Sequence, residues 1–531
     1  MSTKLKLFIV IITTLFFSCK KNFDAPSWDV DVLAPLVNTS LSLNDLLQDS
    51  LLETNTDGSL QMVYQTDLID IDVDSLFKIP DTTIVEEFVV PLTSVVNPGS
   101  TFYSNDEEKE LNISNGIELN YAKIESGFID LEVFSEVKER IVVTLKILSA
   151  SLNGDTLFIA DTIEAATASV PGYFSTSFDI SNYELDLTGI NNNSTNTLVT
   201  KAIASLHPEA FFVQVNSGDK IIFNYKFRDV VPYYVKGYFG SQDYQFGPET
   251  TDFNIFNTIV GGSIDLNDVN VMLDFENGIG VDAQLSLTNF STQNLSSGNI
   301  ANLSGSIINS PININRAQET YNFPEVIYSY YQKQINTSNS NIDELIEVLP
   351  DKLTYQGNLK INPLGNISGS NDFLFKKYPL RAKLNVEMPL SIVANNLTLV
   401  DTVEFTLAQE NVKNIIDGNL FVYANNGYPF DADLKLELLD QNNQLYKTIS
   451  IINNRIEAAA VNSIFRVETP KMSVLNIPLS ATDISELTLA NKMKLTVAFT
   501  TIAQPNYLKI YSDYKIDLKL VGDFAYQINA D

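Results

Sequence analysis

The chain carries one histidine, His207, one cysteine, Cys19, and 65 acidic residues, which narrows the chemistry open to it. A Ser-His-Asp triad needs an imidazole as its proton shuttle. His207 precedes Pro208 in a loop-like stretch, no Gly-x-Ser-x-Gly occurs, and the residue reads as a surface or loop histidine. The densest acidic cluster is Asp67, Asp70, Asp72 and Asp74. Asp70, Asp72 and Asp74 would fill positions one, three and five of a calcium loop, but Ser75 and Asp81 stand where that loop requires Gly and Glu. Ile71 and Val73 alternate with the acids, which is the pattern of a strand with one polar face, so calcium binding is the weaker reading. Paired carboxylates could hydrolyse a glycosidic bond, yet nothing singles out two of them. Walker, dinucleotide-binding and zinc spacings are absent. No catalytic residue, metal or cofactor is expected.

Binding is better provided for. Tyr233, Tyr234, Tyr238, Phe239, Tyr244 and Phe246 crowd one stretch, interrupted by Pro232, Gly237, Gly240, Gly247 and Pro248. A second cluster is Tyr321, Phe323, Tyr328, Tyr330 and Tyr331. Most aromatic side chains of a β protein are core or cross-strand partners. The first cluster is the candidate contact surface for a protein or a glycan, although sugar platforms usually want exposed aromatics and Trp28 is the only tryptophan. With 34 basic residues against 65 acidic ones the formal charge is −31, which repels phosphate backbones and excludes nucleic acid as a partner.

The elements that must position these residues are strands. Alternation of period two runs through Ile117–Ile124, Phe128–Phe134, Ile141–Ile147, Val281–Leu287 and Leu434–Leu438. Asn153-Gly154, Asn277-Gly278 and Asn426-Gly427 are turn dipeptides. The spacing predicts an all-β chain of several antiparallel sandwich or open-barrel-like domains in tandem, with very few short helices. Helical turns are expected at Ser42–Leu47 and Ser75–Lys78, and the best helix at Ser340–Val348, stopped by Pro350. A strand, a polar turn, then an alternating strand form a unit that fits a true repeat and generic hairpin chemistry equally. It is seen at 271–287, at 420–438 and, more faintly, at 129–147. Composition places a small N-terminal β region at 19–97, a first sandwich at 98–250, a second β region at 251–345 and a C-terminal β domain at 346–531.

The address lies at the N-terminus. Lys4 and Lys6 precede an apolar run from Leu7 to Phe17, too short to span a bilayer permanently, and Ser18-Cys19 follow it. Residues 1–18 therefore read as a signal peptide. The arrangement resembles a bacterial lipobox, which implies cleavage before Cys19 and diacylglycerol on its thiol. Phe16 and Phe17 stand where smaller residues are commoner. Cys19-Lys20-Lys21, Pro26-Ser27-Trp28-Asp29 and Ala34-Pro35-Leu36 resemble the start of large envelope lipoproteins of Bacteroidota. That resemblance implies an outer-membrane lipoprotein, with the cell surface favoured over the periplasmic face. Export to the surface in that phylum goes with an acidic stretch after the cysteine, where this chain has Lys20 and Lys21. Secreted proteins of the phylum are O-glycosylated at Asp-Ser/Thr followed by an aliphatic residue or Thr. Ser50, Ser75, Thr82, Thr156, Thr162 and Thr402 all fit that pattern.

The function expected from these features is non-enzymatic: a lipid-anchored structural or interaction subunit of an outer-membrane β-barrel complex for transport, secretion or assembly. A surface glycan-binding lipoprotein is the alternative, and an acid-based hydrolase has no motif behind it.

Overall fold

The computed structural model describes residues 27–42, 51–71, 78–253, 255–256, 259–320, 323, 325–405, 407, 412, 415–502 and 505–529. It is all-β, with antiparallel strands throughout and two short helices among the described residues. The chain opens with three strands whose main partners lie far along the sequence: β1 (Ser27–Ser42), β2 (Leu60–Ile71) and β3 (Thr82–Val89). Each contributes to a different eight-stranded module, and they are used in reverse order.

The first module adds β4 (Thr101–Glu110), β5 (Glu118–Ser135), β6 (Ile141–Leu152), β7 (Asp155–Ile163), β8 (Gly172–Asp179), β9 (Thr197–Leu206) and β10 (Lys220–Tyr238). One sheet runs β3-β10-β5-β8 and the other β4-β9-β6-β7. Glu184–Asp186 pairs with both β5 and β6 and joins the two sheets.

The second module continues with β11 (Gln242–Asp252) and, after β12 (Ile259–Leu266) has joined the third module, with β13 (Asn270–Asn277), β14 (Ala283–Gln293) and β15 (Ile300–Asn302). The two-residue strands β16 (Gln318–Glu319) and β17 (Val326–Ile327) lead into β18 (Ser329–Asn336), α1 (Ile342–Glu347), β19 (Lys352–Ile361), β20 (Asp372–Phe375) and β21 (Leu380–Pro389). Its sheets run β2-β21-β13-β18 and β11-β19-β14-β15.

The third module is β22 (Ser391–Glu404), β23 (Ile415–Asn426), β24 (Phe430–Leu439), β25 (Leu445–Ile449), β26 (Lys471–Leu479), α2 (Ala481–Leu487), β27 (Lys492–Thr501) and β28 (Lys515–Asn529). Its sheets run β1-β28-β23-β26 and β22-β27-β24-β25, and β12 pairs with the edge at β22.

Strand for strand the three orders are the same. The match extends to single hydrogen bonds at one corner. Asn277 ends β13 and Asn426 ends β23, both fully buried. The Oδ1 of Asn277 accepts the Ile279 N–H at 3.0 Å, and its Nδ2 donates to the Val281 and Asn315 carbonyls at 3.4 and 2.8 Å. Asn426 does the same with the Tyr428 N–H at 2.9 Å and the Phe430 and Glu457 carbonyls at 2.8 and 3.0 Å. The Ala317 N–H then donates to the Ile279 carbonyl, as Ala459 does to Tyr428. In the first module Ser135 holds the place: its Oγ accepts the Val137 N–H, and Ala166 donates to the Val137 carbonyl. The strand–turn–strand unit noted in the sequence is thus part of a threefold repeat, which decides between repetition and generic hairpins, and the serine copy is the hardest to see.

The strands form for the expected reason. Buried and half-buried residues alternate along β5, β10 and β27, so β-branched, aromatic and aliphatic side chains fill one face. Phe223 and Tyr225 are the largest fully buried side chains of the first module, each worth about 1.5–3 kcal/mol when removed from water. Of the helices, α1 falls within the expected 340–348, and α2 is additional. The Ser480 side chain caps α2 reciprocally with Asp483, and the Ser480 N–H donates to Asp483 at 2.9 Å. The turn expected at Ser42–Leu47 lies outside the described residues but for Ser42, and that at Ser75–Lys78 but for Lys78.

The described chain forms two compact units. One holds residues 62–254 and 268–388, which carry the first two modules; the other holds residues up to 61, 255–267 and 389–531, which carry the third. This differs from the consecutive regions read from composition. Residues 19–97 are not a region of their own, because β1, β2 and β3 go to separate modules. A boundary at 345/346 would cut through α1. Antiparallel partners as far apart as Val37 and Leu520 leave no local mark in sequence.

Candidate functional site

The second module brings together two aromatic groups that are about ninety residues apart in sequence. The far end of β10 supplies Tyr233 and Tyr234, and β20 pairs with it through Tyr234 opposite Phe375. The β16–β17 pair brings in Glu319 and Glu325. Gly280 makes room here: a Cβ at that position would meet the Phe373 ring at 2.1 Å. Tyr234, Ala317, Val326, Phe373 and Phe375 form a buried cluster, against which Tyr121, Tyr233 and Tyr378 pack. The Tyr234 ring lies 4.3 Å from Phe375, and its hydroxyl donates to Glu319, which also takes Lys236 at 2.7 Å.

Outside that cluster sits a charged centre ringed by aromatics. Glu325 accepts from the Tyr378 hydroxyl at 2.6 Å, the Tyr233 hydroxyl at 3.2 Å and the Lys377 ammonium at 2.9 Å. The Lys377 nitrogen lies 4.9 Å from the centre of the Tyr378 ring, 5.7 Å from Tyr233 and 5.8 Å from Phe323. Tyr328 continues the strip, 5.9 Å from Tyr378 and 6.2 Å from Tyr330. Phe323 is 86% exposed and Tyr330 69%. Tyr328 and Tyr378 are half-buried, so the strip presents two exposed rings beside two partly covered ones, with Tyr378 anchored at the Glu325–Lys377 pair.

Its electrostatics are static near neutral pH. The hydrogen bonds from Tyr378 and Lys377 hold the Glu325 carboxyl at about 2, and the same pairing raises Lys377 further above its ordinary value. Burial raises Tyr378. Glu325 and Lys377 thus stand as a fixed ion pair beside the rings.

The six residues of the first aromatic cluster do not form one exposed surface. Tyr234 and Phe239 are buried, while Tyr233, Tyr238, Tyr244 and Phe246 are half-buried. The physical reason is that Tyr233 and Tyr234 sit at an irregularity of β10 and pack into the Phe373–Phe375 cluster, Phe239 follows the end of that strand, and only Tyr244 and Phe246 alternate on β11. Phe246 packs on Gly357, whose missing side chain leaves room for the ring. Exposed rings come instead from the second cluster, of which Tyr321 lies outside the described residues. Glu319, Glu325, Lys377 and Tyr378 were not legible as partners, though the run Lys376-Lys377-Tyr378 beside Phe373 and Phe375 was a usable signal.

The remaining expectations are placed as follows. Cys19, Ser50, Asp72, Asp74 and Ser75 lie outside the described residues. Asp70 is exposed near the end of β2, 3.4 Å from the Arg381 guanidinium. Among the described residues no group of three or more His, Cys, Asp or Glu side chains could hold a metal ion. His207 is half-buried and its Nδ1 accepts the Glu209 N–H at 3.2 Å. Thr156 and Thr402 are exposed on β7 and β22, and Thr82 and Thr162 are half-buried. No described helix is long and apolar enough to cross a membrane.

No family model matches the chain. No curated protein matches it either. Among solved structures, one from Parabacteroides distasonis, described only as that of a candidate secreted protein, shares 13% identity. The match covers 93% of this chain and 99% of that one at a TM-score of 0.27. The exported protein XepA of PBSX shares 7% identity over 57% of this chain and 86% of that one, at a TM-score of 0.13.

Proposed function

We propose that the chain is a non-enzymatic lipoprotein, anchored to the outer membrane through lipid on Cys19 and facing the cell surface, that serves as an interaction subunit of a β-barrel complex. The observation that carries this reading is the strip of Phe323, Tyr328, Tyr330 and Tyr378 around the Lys377–Glu325 pair. Aromatic anchors dominate the binding energy of protein interfaces. The N-terminal features support the address: a basic start, an apolar run of signal length, and a cysteine directly after it. Thr156 and Thr402 are accessible for O-glycosylation. The test is affinity purification of the tagged full-length protein from gently solubilised native membranes, with and without Phe323→Ala plus Tyr330→Ala. A stoichiometric barrel protein that accompanies the parent and leaves the double variant supports the reading; a parent that comes alone refutes it.

A further inference from the structure

The outer face of the first module carries a second, chemically different feature. Four strands, β8-β5-β10-β3, set their outward side chains in register. One cross-strand row is Ser177, Asp130, Lys226 and Thr83; the next is Ser175, Glu132, Asn224 and Val85. All of these except Val85 line an open depression of about 520 Å³. Its side chains are already oriented. Arg228 donates to Asp130 at 2.6 Å and to Ser177 at 3.3 Å, Lys226 pairs with Asp81 at 2.8 Å, and Glu132 accepts from Tyr173 at 3.1 Å and Asn224 at 3.4 Å. Tyr173 forms the rim: its ring rests on Phe134 at 5.0 Å and is half exposed.

We infer that this depression binds a neutral oligosaccharide. The chemistry argues for that class in three ways. Asp81, Asp130 and Glu132 outnumber Lys226 and Arg228, so the face has no positive field for a phosphate or sulfate. Carboxylates, an amide and hydroxyls stand on neighbouring strands about 4.8 Å apart, a repeating set of acceptors and donors that suits a chain of sugar hydroxyls. An exposed ring at the rim can take the apolar face of a pyranose. The second module is also polar at most of the equivalent outward positions, which hold Asp274, Gln332, Gln334, Lys383 and Asn385 beside Met272. In the third module the equivalent positions on β23 and β26 hold Phe421 opposite Asn476 and Tyr423 opposite Val474, with Met472 in the place of Tyr173.

The inference is independent of the partner strip, which lies in another module. Its test is calorimetric titration of the full mature chain with neutral tetrasaccharides of glucose, xylose, mannose and N-acetylglucosamine. At least one binds, Tyr173→Ala weakens it about tenfold or more, and Ser175→Trp, which fills the depression from an exposed strand position, abolishes it. Phe323→Ala leaves it unchanged. The inference is overturned if none of the four binds, or if binding survives Ser175→Trp.

Discussion

Glu86 is the most demanding residue in the first module, and its removal gives a graded prediction. It lies on β3, 3% exposed, facing the opposite sheet. Its Oε1 accepts from the Thr200 hydroxyl at 2.6 Å and the Tyr225 hydroxyl at 2.8 Å, while the Lys109 ammonium stands 4.0 Å away. Oε2 has no hydrogen-bond partner among the described residues. Each hydrogen bond to a charged group contributes about 1.5–3 kcal/mol, and the cost of burying the charge offsets part of the sum. Glu86→Ala takes the acceptor from the buried Tyr225 hydroxyl and leaves Thr200 only the Glu107 carbonyl at 3.5 Å, and should cost about 2–4 kcal/mol. Glu86→Gln keeps an acceptor oxygen, and Lys109 still has Glu107, so it should cost about 1 kcal/mol or less. Hydrogen exchange read by mass spectrometry resolves the two. In Glu86→Ala, peptides from β3, β9 and β10 should exchange about 30- to 900-fold faster, while β23 and β27 of the third module serve as the unchanged reference. The reasoning fails if alanine is silent or if glutamine costs as much as alanine.

Three further outcomes follow from the same structure. Asn426→Ala should destabilise the third module by about 2–4 kcal/mol, since it removes three bonds from a fully buried corner; Asn426→Ser, which copies the first module's Ser135, should cost roughly half of that in a urea melt. Glu325 and Asp483 titrate at about 2 in the folded chain against ordinary values of 4.5 and 3.8. An unfolded chain therefore takes up those protons first, so their stabilisation is complete above about pH 4.5 and drains away as pH falls towards 2. Thermal melts from pH 7 to 2 should show that decline, shallower in Lys377→Met. Cys19→Ser should abolish incorporation of labelled palmitate and release the protein from the membrane fraction, and retention of label would contradict lipidation.

The strand character was legible because alternation is local: β5, β6 and β24 fall where period two runs through Phe128–Phe134, Ile141–Ile147 and Leu434–Leu438. The repeat showed wherever asparagine ends the strand, at Asn277 and Asn426, and was fainter where Ser135 does the same work with one bond. The reversed use of β1, β2 and β3 could not be read, because a strand's sequence says which face it buries and not which distant strand it joins. The same limit explains the aromatic strip. Clusters at 233–246 and 321–331 stood out by composition, but which rings would be exposed depended on β20 and the β16–β17 pair, through residues such as Phe375 and Glu325.

The account turns on a partner held by the second module's aromatic strip. Purification from native membranes, with the tagged parent beside the Phe323→Ala, Tyr330→Ala double variant, tests it most directly. The account predicts one stoichiometric barrel protein with the parent and none with the variant, at equal abundance of the two baits. A parent recovered alone, or a partner retained in full by the variant, would contradict it.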